Sequence, residues 1–319
     1  MSDNIIKRRT FLKGAGLIAL AAAGGVRIPE SRAQEQVPWS SGSEMPKLKA
    51  PANACDCHMH IYNNRFPIAP NATLRPEDAL VEHYRLLQRR IGTTRNVIVT
   101  PSTYGTDNRC TLDAMAKIGP TARSVAVVDT SVTDAELKRL ADLGVRGIRF
   151  NLVQAGATTV EMLEPLSKRV NDLGWHVQIH MLGDQIVKIE DLLQRLASPI
   201  VFDHMGRLPQ PAGVDHPAFG VIRKLIDKGR TWVKLSGAYQ DTKVGPPSYA
   251  DTSKVAQAYA KAAPERMVWA SDWPHPTEKE KPDDAVLFDL LTVWVPNEAA
   301  RRRILVENPE VLYGFSKSS

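Results

Sequence analysis

The chain has 319 residues, of which 43% are hydrophobic and 24% are charged, and its formal net charge is +6 at neutral pH. Residues 1–33 hold six Lys or Arg and two Asp or Glu, so the rest of the chain carries 35 basic and 33 acidic residues, a net charge of +2. This near-balance, with no basic stripe and no interleaving of aromatic and basic residues, excludes the composition typical of nucleic-acid-binding proteins.

The first 33 residues have the features of an export signal. Arg8 and Arg9 precede the apolar run Gly14–Val26, and Ser31 and Ala33 are small residues at the −3 and −1 positions of a cleavage site. Paired arginines before a mildly apolar segment are typical of twin-arginine signals, which export folded proteins. We therefore predict a twin-arginine signal peptide, recognition by the twin-arginine export machinery, and a periplasmic mature protein with no stable membrane insertion. An uncleaved, tethered form is the alternative.

Residues 34–50 are rich in Ser, Pro, Gln and Lys, which predicts a linker or extended arm ahead of a single domain over 51–316. In that domain, short β-branched runs alternate with amphipathic segments. The predicted strands are Ala54–His60, Asn96–Thr100, Ser124–Val128, Val145–Asn151, Trp175–His180, Ile200–His204, Trp232–Ser236 and Met267–Asp272. The predicted helices are Pro76–Ile91, Thr133–Leu143, Val160–Leu173, Ile186–Ala197, Pro217–Lys228 and Ser253–Ala262. Eight strands alternating with helices predict an α/β fold, a (β/α)8 TIM barrel.

Several helix ends carry local signals. Pro76 and Thr133 are each followed by an acidic residue, which predicts the starts of two helices. Gly144 and Gly174 directly follow the predicted helices Thr133–Leu143 and Val160–Leu173, at the position where glycine commonly ends a helix. These signals support the division of the domain into alternating units.

The segment Asp56-Cys57-His58-Met59-His60 closes the first predicted strand. Because side chains alternate along a strand, we expect Asp56, His58 and His60 on one face and Cys57 and Met59 on the other. The two imidazoles would then lie about 7 Å apart, close enough to reach a common ion or carbonyl oxygen. His-x-His alone is a weak signal.

Later strand ends supply matching groups. Asn151, His180, His204 and Asp272 each lie at the carboxyl end of a predicted strand, as His60 does. In a (β/α)8 barrel these ends converge on one rim, where catalytic side chains gather. An ionised Asp among imidazoles is costly to bury unless it is paired or binds something. The set therefore indicates a functional site rather than core packing.

The cysteines do not predict a disulfide framework. Cys55 and Cys57 are two apart on one strand face, which is a poor geometry for a bridge. A C-x-C-H-x-H zinc cluster would need side chains from opposite strand faces to converge. We therefore expect buried, inert thiols.

These residues are part of a longer series of motifs. The motifs are Asp56-Cys57-His58-Met59-His60, Gly144-Val145-Arg146-Gly147-Ile148-Arg149-Phe150-Asn151, Phe202-Asp203-His204-Met205-Gly206-Arg207, Lys234-Leu235-Ser236-Gly237-Ala238-Tyr239 and Trp269-Ala270-Ser271-Asp272-Trp273-Pro274-His275-Pro276. With these motifs, over about 52–314, the chain resembles the amidohydrolase superfamily, in its amidohydrolase-related branch, which contains 2-pyrone-4,6-dicarboxylate lactonase, sugar-acid lactonases and lactone isomerases. The resemblance implies a TIM barrel that hydrolyses carboxylic ester bonds.

The resemblance implies roles for individual residues. Asp272 would be the general base that takes a proton from water, and the imidazoles of His58, His60 and His204 would surround the lactone carbonyl or hold a metal. Arg207 would bind a substrate carboxylate, which a guanidinium can do through two hydrogen bonds. Further candidates for substrate contact are Arg149, Asn151, Asn108, Tyr239, Gln240 and His275.

Two positions depart from the dicarboxylate lactonase. Its loops after strands four and seven supply further arginines, where this chain has Gln154 and Gln240. A neutral amide cannot anchor a second carboxylate with the strength of a guanidinium. Together with Asn151, Tyr239 and Asn108, these amides favour hydroxyl groups, which indicates a sugar lactone or a related polyol acid.

The metal content is open in the sequence. The pyrone lactonase type works without a metal and has Tyr at the end of strand five, where this chain has His180. His58, His60, His180 and Asp272 form the three-His, one-Asp set of mononuclear members of the superfamily, a set that suits Zn²⁺. Strand four offers no Lys for carboxylation, which argues against a binuclear site. The alternatives are no cofactor or one divalent metal, with zinc favoured.

The sequence therefore predicts a hydrolase that opens the ester ring of a sugar-acid or carboxylated lactone, with a small anionic lactone as its partner. A lactone isomerase, in which an internal hydroxyl replaces water, and a metal-dependent decarboxylase are alternatives on the same fold. A periplasmic solute-binding protein is the alternative from another class. It is disfavoured because a mere binder needs no base among imidazoles.

Overall fold

Eight parallel strands form one sheet in the computed structural model, which describes residues 36–154 and 156–317. Each strand pairs with the next in chain order. The strands are β1 Cys55–Met59, β2 Arg95–Val99, β3 Ala122–Ala126, β4 Val145–Asn151, β5 His176–His180, β6 Ile200–Phe202, β7 Thr231–Leu235 and β8 Met267–Trp269. The eight predicted strands are confirmed.

The sheet closes between β8 and β1. The backbone N–H of Asp272 donates to the carbonyl of His58 at 2.9 Å, and the backbone N–H of His60 donates to the carbonyl of Trp273 at 2.8 Å. These bonds join the segment that follows β8 to the end of β1. The strands and the helices between them therefore form the predicted (β/α)8 barrel.

The α-helices of the described ranges agree in part with the prediction. They are α1 Val81–Ile91, α2 Arg109–Ile118, α3 Asp134–Leu143, α4 Leu163–Asn171, α5 Gly183–Lys188, α6 Glu190–Arg195, α7 Pro217–Asp227, α8 Ala238–Asp241, α9 Ala250–Ala262, α10 Asp284–Trp294, α11 Glu298–Arg302 and α12 Asn308–Tyr313. The predicted helix start at Pro76 is wrong, because Ala79 is held extended by two backbone hydrogen bonds with Tyr62, at 2.9 and 3.0 Å. The helix begins only at Val81.

Other helix-end predictions are confirmed. Thr133 caps α3, since its side chain accepts a hydrogen bond from the backbone N–H of Glu136 at 3.1 Å. Gly144 ends the same helix with φ of 106°, a conformation that costs glycine little because it has no Cβ.

Six of the eight strands end earlier than predicted, and in three of them this places a candidate catalytic residue beyond the strand. His60, His204 and Asp272 lie just beyond β1, β6 and β8. His204 and Asp272 have φ of 48° and 64°, which is outside the strand region. Residues other than glycine rarely hold this conformation, and such strain is concentrated at functional sites. Both side chains therefore leave the sheet through sharp turns.

Strand β1 does not alternate as expected. The pairing of β1 with β2 shifts between Asp56 and Met59, which is a β-bulge or irregularity. Asp56 accepts a hydrogen bond from the hydroxyl of Tyr84 on α1 at 3.1 Å, whereas His58 contacts Asp203 at the end of β6. The prediction that Asp56 shares a face with His58 is therefore wrong, because the irregular register turns them apart.

The strands are buried on both faces, as parallel strands usually are. Cys55 and Cys57 pack with valines of β2, β3, β6 and β8 and with Tyr313 in one apolar cluster. Both thiols are free and buried, as is that of Cys110. The prediction that the thiols are buried and form no disulfide is therefore confirmed for all three cysteines.

Residues 36–50 have no helix or strand and pack against the barrel. The indole N–H of Trp273, in the loop that follows β8, donates to the carbonyl of Pro38 at 2.8 Å. The backbone N–H of Ser41 donates to the carbonyl of Pro282 at 3.0 Å. The predicted arm therefore supports the β8 loop, which carries Asp272.

Arg90 on α1 fixes this arm. Its guanidinium donates to the side chain of Ser40, to the carbonyls of Ser41 and Glu44, and to Asp283 at 2.7 Å, and its side chain is 2% exposed. We expect Arg90→Met to lower the free energy of unfolding by about 3 kcal/mol, because it leaves Asp283 and three acceptors without their donor. Urea denaturation measures the change. A loss below about 0.5 kcal/mol, the size expected of a surface substitution, would contradict this role.

The predicted signal peptide, residues 1–33, lies outside the described residues. Among residues 36–154 and 156–317, no helix has both the length and the apolar character needed to cross a membrane.

Candidate active site

Four side chains meet at the carboxyl end of the barrel. Asp272 Oδ1 lies 3.6 Å from Nε2 of both His58 and His60. Nε2 of His204 lies 3.7 Å from the same oxygen. Each of the four residues is at most 3% exposed. The structure thus brings together the candidate general base and the three candidate imidazoles.

The two carboxylate oxygens of Asp272 have different surroundings. Oδ2 accepts hydrogen bonds from the hydroxyl of Tyr239 at 2.7 Å and from the amide of Gln240 at 3.0 Å. Oδ1 faces the imidazoles. Burial raises the pKa of Asp272 to about 6, although the hydrogen bond from Tyr239 opposes this shift. A carboxylate with such a pKa is a better base than an exposed one and is still ionised at neutral pH.

Each imidazole is held through its other ring nitrogen. Nδ1 of His60 lies 2.7 Å from the carbonyl oxygen of Val99, so it must carry a proton and donate. Nδ1 of His204 lies 2.9 Å from the hydroxyl of Ser236, and Nδ1 of His58 lies 3.2 Å from Asp203. All three Nε2 atoms are therefore directed at the space around Asp272 Oδ1.

The imidazoles are neutral at physiological pH. Burial lowers the pKa of His60 to about 3, with Arg149 adding to the shift. Burial also holds the pKa values of His58 and His204 well below the usual value for histidine. Neutral imidazoles act as metal ligands or as hydrogen-bonding groups rather than as cations.

The contact between His58 and His60 restricts their protonation. Their Nε2 atoms are 3.1 Å apart, and Nε2 of His60 has only a lone pair because its proton is on Nδ1. Two lone pairs at this distance repel. Either His58 donates from Nε2 and accepts at Nδ1 from Lys234, 3.2 Å away, or both lone pairs face a shared cation.

His58, His204 and Asp272 could hold a metal ion, since one ligand atom from each lies within 4.8 Å of the others. Nitrogen and carboxylate donors of this kind suit Zn²⁺. The outer nitrogens of both imidazoles are hydrogen-bonded to Asp203 and Ser236, which is the arrangement that fixes ligating histidines. The chemistry of the donor set therefore fits a single divalent metal.

Two of the predicted metal ligands, His60 and His180, lie outside this group, and His180 is engaged elsewhere. Its Nε2 lies 3.1 Å from Nη1 of Arg207, and because a guanidinium only donates, His180 accepts with the lone pair that a metal would need. His204 takes the place in the group that the sequence assigned to His180.

Arg207 is itself neutralised. Its Nε and Nη2 donate to the carboxylate of Asp241 at 2.7 and 3.1 Å. The guanidinium is part of the cavity wall, but it carries a permanent counterion. Its predicted role as a free anchor for a substrate carboxylate is weakened accordingly.

A buried charge network lies beneath the imidazoles. Asp203 accepts hydrogen bonds from Arg149 at 3.2 Å and from Gln178 at 3.1 Å, and it lies 3.4 Å from Nζ of Lys234. Burial raises the pKa of Asp203, but His58, Lys234 and Arg149 more than offset this effect, so its pKa lies well below the usual value. Sequence reasoning missed Asp203, Gln178 and Lys234. Asp203 directly precedes His204, and Gln178 lies two residues before His180, so the available signal was their closeness to recognised site residues.

The cavity above Asp272 is lined by part of the predicted substrate-binding set. Arg149, Asn151, Arg207 and Gln240 contribute to its wall, as does Gln154. The hydrogen-bonding capacity of Asn151 is partly used within the protein, since its side-chain oxygen accepts from the backbone N–H groups of Val153 and Gln154. Among the described residues that line the wall, the charged side chains besides Asp272 are Arg149 and Arg207, each paired with a buried or half-buried carboxylate.

Three candidates for substrate contact do not line this cavity. The amide of Asn108 ties the end of β2 to β3, through Thr100 at 2.9 Å and the backbone of Val127 at 2.8 and 2.9 Å. The hydroxyl of Tyr239 is hydrogen-bonded to Asp272, and the fully buried ring of His275 is hydrogen-bonded to Tyr239. Their loops were placed correctly, but their side chains turn inward to satisfy buried polar groups.

The backbone of Gly237 packs closely against the side chain of His204. It has φ of 65°, and a Cβ added there would lie 3.0 Å from the Cβ, Cγ and Nδ1 atoms of His204. We expect Gly237→Ala to push the His204 ring toward Asp272 and to lower turnover on the order of ten-fold to a hundred-fold, the cost typical of misplacing a catalytic group. Steady-state kinetics measures this. Gly220→Ala, on α7 with open space around the added Cβ, is the matched control, and equal activity of the two variants would contradict the claim.

Imidazoles and a carboxylate gathered on the carboxyl rim of a (β/α)8 barrel define the chain as a barrel enzyme. The family model described as Amidohydrolase matches residues 55–315. The chain belongs to this amidohydrolase family.

Two relatives of the chain have names that describe reactions of lactones. It is 35% identical over 288 residues to 2-pyrone-4,6-dicarboxylate hydrolase of Comamonas testosteroni, a match that covers 86% of this chain and 94% of the relative. It is 34% identical over 276 residues to D-galactarolactone isomerase of Agrobacterium fabrum, covering 85% and 94%. A crystal structure of an apo protein from Agrobacterium tumefaciens superimposes with a TM-score of 0.82 at 34% identity, covering 88% of this chain and 99% of that one.

Proposed function

We propose that this protein is a hydrolase that opens the ester ring of a sugar-acid lactone, with Asp272 as general base. The observation that carries this proposal is the placement of Asp272 Oδ1 between 3.6 and 3.7 Å from three Nε2 atoms. A basic oxygen beside neutral imidazoles supplies both parts of acyl transfer, a proton acceptor for water and groups that stabilise the oxyanion.

The chemistry follows from the two oxygens of Asp272. Oδ2 is occupied by Tyr239 and Gln240, so Oδ1 takes the proton from the attacking water. Nδ1 of His204 can accept from the hydroxyl of Ser236, so His204 can carry its proton on Nε2, and this N–H stabilises the charge on the carbonyl oxygen as water adds. The ring C–O bond then breaks, and the proton on Asp272 passes to the leaving alkoxide. The product is an open hydroxy acid.

Charge in the cavity favours a neutral or singly anionic lactone. Arg149 and Arg207 are paired with Asp203 and Asp241, so neither has a full charge left for a second carboxylate. Gln154 and Gln240 offer amides suited to hydroxyl groups. We therefore propose polyhydroxylated sugar-acid lactones as the substrate class, ahead of the dianionic pyrone named for one relative.

A screen with a pH indicator tests this proposal. The panel contains neutral aldonolactones, singly charged aldarolactones and 2-pyrone-4,6-dicarboxylate. We expect acid release with the sugar lactones and a kcat/KM at least about ten-fold lower with the pyrone, the factor for about 1.4 kcal/mol of lost anion binding. A preference for the pyrone would overturn the substrate class, and no acid release from any lactone would overturn the hydrolase.

Lactone isomerisation is the second candidate, favoured by the 34% identity to D-galactarolactone isomerase. In that reaction a hydroxyl of the substrate replaces water, and Asp272 takes its proton instead. The two reactions differ in their products. NMR spectroscopy of the same incubations shows a new lactone without acid release if isomerisation is correct.

We further propose that His58, His204 and Asp272 hold one divalent ion, with Zn²⁺ favoured by the nitrogen donors. A bound metal would lower the pKa of water and polarise the lactone carbonyl. We expect His204→Ala to reduce the metal content of the purified protein at least about ten-fold, while His180→Ala leaves it unchanged. Elemental analysis measures both. Metal-free wild-type protein with full turnover in chelator would contradict the proposal.

For the location, we propose export through the twin-arginine route, with residues 1–33 as the cleaved signal. Arg8 and Arg9 ahead of the apolar run support it. Replacing both with Lys should keep the protein in the cytoplasm. Cell fractionation with an antibody decides this, and periplasmic accumulation of the double variant would overturn the route.

A further inference from the structure

A chain of hydrogen bonds runs from Asp272 to a helix behind the site. The hydroxyl of Tyr239 donates to Asp272 Oδ2 at 2.7 Å, and Nδ1 of His275 lies 2.9 Å from that hydroxyl. Nε2 of His275 lies 3.2 Å from Oδ2 of Asp284. His275 and Asp284 are fully buried and do not line the cavity. Their side chains are linked to the carboxylate of Asp272 through the hydroxyl of Tyr239.

The number of protons fixes the direction of this chain. A tyrosine hydroxyl has one proton, and an ionised carboxylate can only accept. Tyr239 therefore donates to Asp272 and must accept from Nδ1–H of His275. Nε2 of His275 then shares a proton with the carboxyl of Asp284.

The backbone holds the far end of the chain rigidly. Asp284 is the first residue of α10, an 11-residue helix whose N-terminus favours a negative charge, and its backbone N–H donates to the hydroxyl of Ser40 at 3.2 Å. The backbone N–H of His275 donates to the carbonyl of Asp272 at 2.9 Å, and Nζ of Lys281 donates to the carbonyl of His275 at 2.6 Å. The pair is thus fixed from both sides.

We propose that His275 and Asp284 are a positioning pair that keeps the hydroxyl of Tyr239 directed at Asp272 Oδ2, so that Oδ1 alone is free for proton transfer. This inference rests on the proposed function, because it assigns the pair a task in orienting the general base. Without the pair, the Tyr239 hydroxyl is free to rotate, and Oδ2 of Asp272 loses the shorter of the hydrogen bonds that it accepts from Tyr239 and Gln240. The effect should fall on kcat rather than on KM, since neither residue faces the substrate.

A double-mutant cycle tests the pair. We expect His275→Leu and Tyr239→Phe each to lower kcat at least about ten-fold with KM within about two-fold. The double variant should be no slower than Tyr239→Phe alone, because His275 acts through that hydroxyl. His275→Asn should recover most of the loss, since its amide can donate near the position of Nδ1. Tyr259→Phe, which removes a buried hydroxyl on α9, is the control for burial.

Additive losses in the double variant, or a loss confined to KM, would overturn the proposal. A second measurement does not depend on turnover. In protein labelled with ¹⁵N at histidine, we expect a proton on Nδ1 of His275 that is protected from exchange and shifts in Tyr239→Phe. If the wild type opens no lactone, the proposed function fails while this signal still decides the pair. An unprotonated Nδ1 would overturn it.

Discussion

Asp272→Asn is expected to lower lactone turnover at least about 100-fold, the usual contribution of general-base catalysis. Asparagine has nearly the size of aspartate, and its side-chain oxygen can still accept from Tyr239, whose hydroxyl now lies 2.7 Å from the carboxylate. The amide cannot take a proton from water. Steady-state kinetics on a sugar-acid lactone gives kcat and KM separately, and we expect the loss in kcat.

Asp142→Asn is the matched control for this variant. Asp142 is an exposed carboxylate on α3 that pairs with the exposed Lys138, so the same chemical change there should leave kinetics and stability nearly unchanged. Circular dichroism and a thermal melt show whether Asp272→Asn keeps the fold. Turnover of the folded variant close to that of the wild type would remove Asp272 from the chemistry.

Much of the site could be predicted because the carboxyl ends of all eight strands of a barrel lie on the same rim. A polar residue at the carboxyl end of a parallel strand points to one rim whatever the details of packing. His60, His180, His204 and Asp272 were found in this way. The strand count and the alternation with helices needed only periodicity, which is a local property of the sequence.

The partners of these residues could not be predicted, because they depend on contacts between distant segments. Arg207 lies 34 residues before Asp241, and Arg149 lies 54 residues before Asp203. No periodic pattern records such pairs. The same reason explains why His275, expected to contact substrate, instead binds Tyr239 and Asp284. The irregular register in β1 is a further case, since one shift in pairing reverses the face of every later side chain.

Asp203→Asn is expected to lower the free energy of unfolding by about 3–5 kcal/mol, the cost of removing one partner from a buried ion pair. The substitution leaves Lys234 and Arg149 in the barrel with no carboxylate between them. Urea denaturation measures the loss, and Asp142→Asn, expected to change stability by less than about 0.5 kcal/mol, is again the control. A loss below about 1 kcal/mol would mean that the cations have another counterion.

The pH dependence of this loss has a defined sign. The pKa of Asp203 is lowered in the folded protein, so its stabilising contribution is complete above the unfolded value of about 4 and is lost as the pH falls through the folded value. The gap between wild type and Asp203→Asn should therefore be constant from about pH 5 to pH 8, since Asp203 is ionised throughout that range in both the folded and the unfolded chain. A gap that closes between pH 8 and pH 5 would show that Asp203 becomes protonated in the folded state, and that its network does not hold the carboxylate.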